Sequence, residues 1–313
     1  MNTATLQAAD WRHAQVIAAF GRHALLRNAK GATAIGRPAS RRLQVVCGDE
    51  VQTAGGAPPD ELLIDAIEPR RSALWRCNAR LEPEIVVANV SLLLAVVAPV
   101  PAPDFYVIDR YLAAADAAGL AAIVGAGKDD LPRDAVLDAE LANYAALGYG
   151  TLRFAAGGAP RLDAVRAAIR GQCCLVVGQS GVGKSSLITQ LAPGSDAAIG
   201  ALIRGVEGRH TTTASRLHRI DAATAVMDTP GVRDFAPALE RLDARSLGFR
   251  ELDTLAPRCR FSDCRHLQEP GCAVRAATES GGMSARRYES YRRLRRLHND
   301  RVTALRQQGS KPR

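Results

Sequence analysis

Aromatic residues are scarce: two Trp, six Tyr and six Phe amount to 4% of 313 residues. A surface that binds single-stranded nucleic acid by stacking bases on rings has few rings to use, and Trp11 and Trp75 are expected to be structural. Long apolar runs are lacking too. The longest, around Ser91 to Pro101, falls short of the ~20 residues that span a bilayer. Met1 to Phe20 lacks the layout of a signal peptide, so the expectation is a cytoplasmic protein with no membrane partner. A paired-cysteine framework is also missing. There are seven cysteines, and three of them cluster with a histidine near the C-terminus, which points to a metal rather than to disulfides. Cys47, Cys77, Cys173 and Cys174 are expected to be ordinary buried thiols.

What is present is 47% hydrophobic residues with charges of both signs interspersed, the composition of a globular chain. Its length exceeds one small domain. Forty-one Lys and Arg against 32 Asp and Glu give a formal charge of +9, which favours polyanions through counterion release. Charge alone fits a solvated basic surface equally well.

Three zones follow one another. From about Ala14 to Val87, β-prone runs (AQVIAAF, RLQVVC, ELLIDAI, EIVVAN) alternate with Gly/Pro-rich stretches, which predicts a small all-β barrel. From Ser91, apolar strands alternate with helical stretches up to CCLVV; this is the βαβ rhythm of a parallel sheet. After Phe235 no strong strand appears, and an arginine-rich helix is predicted from about Ser284 to Gln307. The expected boundaries are 1–88 for the all-β barrel, 89–235 for an α/β domain and 236–313 for a mainly helical domain that holds the Cys/His cluster. No internal repeat is found.

Chemistry concentrates at Gly178, Gln179, Ser180, Gly181, Val182, Gly183, Lys184 and Ser185, followed by Ser186. An apolar strand precedes this GQSGVGKS run and a helix follows it, the context of a phosphate-binding P-loop. Glycines let the backbone form a nest of N–H groups, Lys184 adds charge at the β/γ oxygens, and Ser185 is placed to ligand Mg²⁺. The helix directs the positive end of its dipole at the same anion. Downstream, AVMDTPG ends a strand in Asp228, Thr229, Pro230 and Gly231, the spacing of an aspartate that holds Mg²⁺ through water and a glycine that senses the γ-phosphate. Between them GRHTTT offers Thr211 and Thr212 for Mg²⁺ and phosphate. Val232 occupies the position where many such enzymes orient water with glutamine, which leaves His210 as the neighbouring candidate.

The order of these parts is unusual. Guanine-reading elements normally follow the switches, yet here Gly127, Lys128, Asp129 and Asp130 lie upstream of the P-loop, just after a strand. FAAGG, from Phe154 to Gly158, falls where a second loop meets the base. The spacing therefore predicts a circularly permuted G domain. Near the C-terminus, Cys259, Cys264, His266 and Cys272 form C-x4-C-x-H-x5-C, four ligands for a closed structural Zn²⁺ site. His218 and His298 have no such context and are expected at the surface. The terminal helix carries eight arginines from Arg286 to Arg306 beside an apolar stripe, and is expected to favour RNA.

Taken together, the permuted order, GRHTTT, DTPG and the Cys/His cluster resemble the bacterial ribosome-small-subunit-dependent GTPase A family, and DRYL at Asp109 to Leu112 fits as well. The resemblance covers nearly the whole chain. It implies an OB barrel, a permuted G domain and a zinc domain; hydrolysis of GTP to GDP with Mg²⁺; and a monomer acting on the small ribosomal subunit and its 16S-type rRNA in late maturation. The permuted order itself suggests the coupling: the zinc domain begins directly after the switch, so GTP is expected to favour the ribosome-binding arrangement and hydrolysis to release the protein. One departure stands out. The family's Asn-Lys-x-Asp reads Gly-Lys-Asp-Asp here, which removes one amide hydrogen bond, about 0.5–1.5 kcal/mol, while Asp130 keeps the carboxylate that accepts two donors from guanine. Two competing functions are a P-loop ATPase of small-molecule metabolism and an RNA-binding scaffold with little turnover.

Overall fold

The computed structural model describes residues 8–54, 61–78, 82–155, 162–194, 215–229, 237–238 and 241–309. His210, Thr211, Thr212, Gly231 and Val232 lie outside the described residues, as do positions 156–158 of the FAAGG loop.

Five short strands close a barrel: β1 (His13–Phe20), β2 (His23–Asn28), β3 (Thr33–Pro38), β4 (Glu50–Ala54) and β5 (Leu62–Ile67). They pair in the order β1-β2-β3-β5-β4, and β4 returns to β1. Only the β3–β5 pairing is parallel, as an OB barrel requires. Trp11, Val16, Leu26, Val51, Leu62 and Ile64 fill the interior; Trp11 is structural and has no face to offer a base.

Two of the runs read as strands behave differently. RLQVVC forms a loop with one isolated bridge, Cys47 to Val87. Its backbone is held by Asp49, whose carboxylate accepts from the Val46 N–H at 2.8 Å and the Arg70 guanidinium at 2.6 Å. EIVVAN pairs outside the barrel, as β7 (Pro83–Ala88) in a separate hairpin with β6 (Ala73–Cys77). Strands β2 and β3 were not legible, because their runs are short and their turn rests on a side chain. Asn28 Oδ1 accepts from the Lys30 and Ala32 amides, an Asx-type turn.

The α/β zone follows the predicted rhythm. Strands β8 (Leu92–Val97), β9 (Ala121–Ala126), β10 (Gly150–Arg153), β11 (Cys173–Gly178) and β13 (Ala225–Asp228) run parallel, with β12 (Arg216–Arg219) antiparallel to β13. The order is β10-β9-β8-β11-β13-β12. Central β8 is buried at every position. Leu93, Ala95 and Val97 face α1 (Phe105–Ala117) and α2 (Ala135–Ala146), whereas Leu92, Leu94 and Val96 face α3 (Asp163–Ile169) and α4 (Lys184–Leu191). Such a strand reads as a continuous apolar run because both faces are covered. The chain steps one way from β8 to β9 and β10 and the other way from β11 to β13. The crevice at the carboxyl ends of β8 and β11 is therefore the topological switch point, where such sheets bind ligands.

β12 also pairs with β1, Ala18 opposite Arg216, so barrel and α/β zone share one 11-stranded sheet. The C-terminal zone is helical: α5 (Arg250–Leu255), a 3-10 turn at Ala256–Arg258, α6 (Ala273–Glu279) and α7 (Ala285–Gly309). Leu247, Phe249, Leu252, Val274, Tyr291 and Leu294 form its core, which Ala113 of α1 completes. No helix among the described residues is long and apolar enough to cross a membrane.

Candidate nucleotide site and metal centre

GQSGVGKS lies at the switch point, between β11 and α4. Gly178 sits at φ 138° against β8, where a Cβ would fall 2.2 Å from the Val96 carbonyl, so only glycine fits. Gly183, at φ 101°, ends the loop in the left-handed region and is the N-cap of α4 without a side chain to cap it. The first-turn N–H groups of α4 therefore keep their donor capacity for an anion. Val182 is buried and anchors the loop in the core. Lys184 Nζ donates to the carbonyls of Gly178 and Gln179, both at 2.8 Å, which holds the ammonium over the loop. Ser185 and Ser186 are exposed on the first turn of α4. Gln179 Oε1 accepts from the Asp104 N–H at the start of α1.

Asp228 ends β13 in register with Val176 of β11. It therefore reaches the same sheet end as the P-loop, one strand over, as an aspartate serving a P-loop cation must. Thr229 beside it is buried.

Gly127, Lys128, Asp129 and Asp130 follow β9 on the other side of β8. The Gly127 N–H donates to the Val97 carbonyl at 2.8 Å. Lys128, at φ 56°, donates Nζ to the Val100 carbonyl at 2.7 Å, and the Asp129 N–H donates to the Phe154 carbonyl at 3.1 Å. The Asp129 carboxylate faces Arg153 and Arg133. Asp130 is exposed and has no hydrogen-bond partner among the described residues, so its carboxylate is open to a ligand. The sheet thus brings three segments, well separated in sequence, to one edge.

The metal centre is compact. Ligand atoms of Cys259, Cys264, His266 and Cys272 all lie within 4.8 Å of one another. His266 Nδ1 is 3.4 Å from Cys259 Sγ and 3.6 Å from Cys272 Sγ. Tetrahedral bonds of about 2.3 Å to sulfur and 2.0–2.1 Å to nitrogen place S and N roughly 3.5 Å apart, so the four residues fit a metal ion. Burial, with Arg295 nearby, lowers the pKa of His266, which keeps its imidazole neutral as a ligand must be. The loop is held from behind. Tyr288 OH donates to the His266 carbonyl at 2.7 Å and Tyr291 OH to the Arg265 carbonyl at 2.9 Å. Glu269 accepts from the N–H groups of Arg265, Leu267 and Gln268. Partial burial raises the Glu269 pKa, but these donors more than offset it and bring it down to about 2.

The arginine-rich helix departs from expectation. Arg287 is almost wholly buried and binds Asp109 at 2.7 Å and Glu251 at 2.7 Å. Arg286 binds Asp109 at 2.5 Å and Glu140 at 2.7 Å. Arg295 is buried on Tyr291 and the Ala244 and Arg245 carbonyls, and Arg301 is buried against Cys77 of β6. Four of the eight arginines therefore serve packing, because fixed carboxylates and carbonyls lie along the face that α7 presents to α1, β6 and the metal loop. His218 is another correction: it is buried in β12, whereas His298 is half-buried. Cys47 and Cys174 are buried thiols, and Cys77 and Cys173 only partly so. The Asp109 network and Glu269 carry no motif, and only the charge of DRYL hinted at the first.

Fold and site define a P-loop nucleotide-binding protein in which the strand leading to GKDD precedes the strand leading to GQSGVGKS, joined to an OB barrel and a Cys3His module. The profile of the RsgA GTPase family matches residues 67–237. The small ribosomal subunit biogenesis GTPase RsgA of Azotobacter vinelandii is 40% identical over 254 residues, 80% of this chain and 74% of that protein. The crystal structure of YjeQ from Thermotoga maritima aligns with a TM-score of 0.68 at 26% identity, covering 92% of this chain and 98% of that one. YloQ, described as a circularly permuted GTPase, shares the fold with a TM-score of 0.66 at 22% identity, covering 100% of this chain and 99% of that one. The chain belongs to the RsgA GTPase family.

Proposed function

We propose that this chain hydrolyses GTP to GDP and phosphate while bound to the small ribosomal subunit, acts in that subunit's late maturation, and leaves as its nucleotide state changes. The observation that carries the reading is the convergence of the P-loop, Asp228 and the GKDD loop on the carboxyl ends of β8, β9, β11 and β13. Residues 178–186 cradle the phosphates, with Lys184 neutralising charge on the transferred group, the chief demand of phosphoryl transfer. Ser185 and Asp228, with Thr211 or Thr212, hold Mg²⁺, which supplies charge neutralisation when bound. Gly231 senses the γ-phosphate and His210 orients water. Residues 127–130 read guanine, the exposed carboxylate of Asp130 accepting its two donors.

Cys259, Cys264, His266 and Cys272 hold one structural Zn²⁺, since three thiolates and an imidazole in tetrahedral reach suit that ion. Domain boundaries at 88/89 and 235/236, a monomeric state and a cytoplasmic location belong to the same reading. Contact with 16S-type rRNA draws support from the net charge of +9 and from Arg258, Arg260 and Arg265, which stand exposed on the metal loop beside Phe261. Purified full-length protein is expected to turn over GTP slowly alone and faster with small subunits, with ATP a poor substrate. Equal use of ATP, or no response to small subunits, overturns the reading.

A further inference from the structure

Gly127 stands where the family motif has an amide side chain, and a Cβ there would press on its neighbours. Gly125 and Gly127 are two residues apart on one face of β9 and its extension, and the ring of Phe154 lies along both. A Cβ at Gly125 would sit 3.1 Å from Phe154 Cε1, and one at Gly127 would sit 3.2 Å from Phe154 Cζ and 3.2 Å from the Val182 carbonyl of the P-loop. The ring is 3% exposed and shares a core cluster with Val182, Leu94 and Val96. The backbone of the same residue brackets the loop: its N–H donates to the Ala126 carbonyl at 2.9 Å and its carbonyl accepts from Asp129 at 3.1 Å.

We infer that Phe154 is the positioning residue of the base-recognition loop. Its ring, seated in the slot made by Gly125 and Gly127, packs the GKDD segment against the P-loop and so does the bracing that an amide at position 127 would otherwise do by hydrogen bond. The inference rests on the reading of residues 127–130 as the guanine site. It reverses the simple expectation for Gly127. Restoring asparagine there sets its Cβ 3.2 Å from both the ring and the Val182 carbonyl, tighter than ordinary packing, so a neighbour must shift and nucleotide binding weakens until Phe154 is made smaller.

The test is equilibrium GDP binding to full-length wild type, Gly127→Asn, Phe154→Ala, Phe154→Leu and the two double variants, with thermal melting to confirm folding. An affinity loss of about tenfold is expected for Gly127→Asn and for Phe154→Ala, the scale of one lost bracing contact. Each double variant is expected to bind GDP more tightly than Gly127→Asn alone, the coupling expected of residues in contact, and with melting temperatures unchanged, so that the effect falls on nucleotide affinity, which a merely structural ring would not move. Phe154→Leu keeps most of the core volume, so rescue by it stands even if Phe154→Ala melts early. Additive losses, or tighter binding by Gly127→Asn with Phe154 intact, overturn the inference. Asp130→Asn separates the two layers: an amide there donates where the carboxylate accepted, so preference should move from GDP toward xanthosine diphosphate. If it moves while the cycle is additive, only the role of Phe154 fails; if it does not, the guanine-site reading fails and takes the inference with it.

Discussion

The barrel and the C-terminal module are attached to the α/β sheet by different means and at different places. The barrel joins through backbone and apolar core, β1 pairing with β12 and Ile17, Phe20 and Leu25 sharing a buried cluster with Leu217 and Met227, with an exposed Arg219 that donates to Gln15 at 3.3 Å. The C-terminal module joins through buried charge. Asp109 of α1 accepts from Arg286, Arg287 and Tyr144, while Arg250 binds Asp116 at 2.7 Å and stacks on Tyr149 at 3.8 Å. β12 lies in sequence between the two predicted switch segments, GRHTTT and DTPG, whereas α1 and α2 flank β9 and the GKDD loop. Stability and responsiveness therefore reside in different joints. The charged joint is costly to disturb, because an unpaired buried charge is penalised heavily, and the backbone joint sits beside the segments expected to answer the γ-phosphate.

The largest expected effect is metal removal. Structural zinc sites of this size contribute on the order of 10–16 kcal/mol, so chelation should unfold residues around 259–272 and loosen α6 and α7 while the barrel keeps its β signal. Circular dichroism and limited proteolysis of the full chain check this, and loss of the barrel with the metal would erase the contrast between the joints. Next comes Asp109→Ala, which removes the buried carboxylate that Arg286 and Arg287 share and leaves them only Glu140 and Glu251. About 3–5 kcal/mol of destabilisation is expected, measured by urea unfolding. Glu269→Ala should lower metal affinity by about 10–100-fold, the usual scale for a group that orients ligands from behind, read by competition with a chromogenic chelator. The Glu269 carboxyl is depressed from 4.5 to about 2. Its stabilising contribution is thus present above about pH 4.5 and fades as pH falls toward about 2, and Glu269→Ala should flatten that limb of the acid unfolding curve. The smallest effect belongs to the other joint: Arg219→Ala should change global stability by less than about 0.5 kcal/mol, as exposed substitutions do.

Much of this molecule was legible in sequence for a physical reason. The P-loop, the DTPG strand and the Cys/His run are local motifs whose geometry is set within a dozen residues, and β8 announces itself as an uninterrupted apolar run because both its faces are covered. What sequence could not give depends on distant partners. RLQVVC looks like a strand until Asp49 and Arg70 claim its backbone. The arginines of α7 look like an RNA face until Asp109, some 180 residues upstream, turns two of them inward. Gly127 reads as a missing amide, and only the path of β10 brings Phe154 into its place.

Hydrogen exchange on the full-length chain, with GDP and with a non-hydrolysable GTP analogue, tests the contrast most directly. Protection of β1 and β12 is expected to change between the two nucleotides while the α1–α7 contact around Asp109 keeps the same protection in both. A nucleotide-dependent change at α1–α7, with β1 and β12 silent, would contradict it.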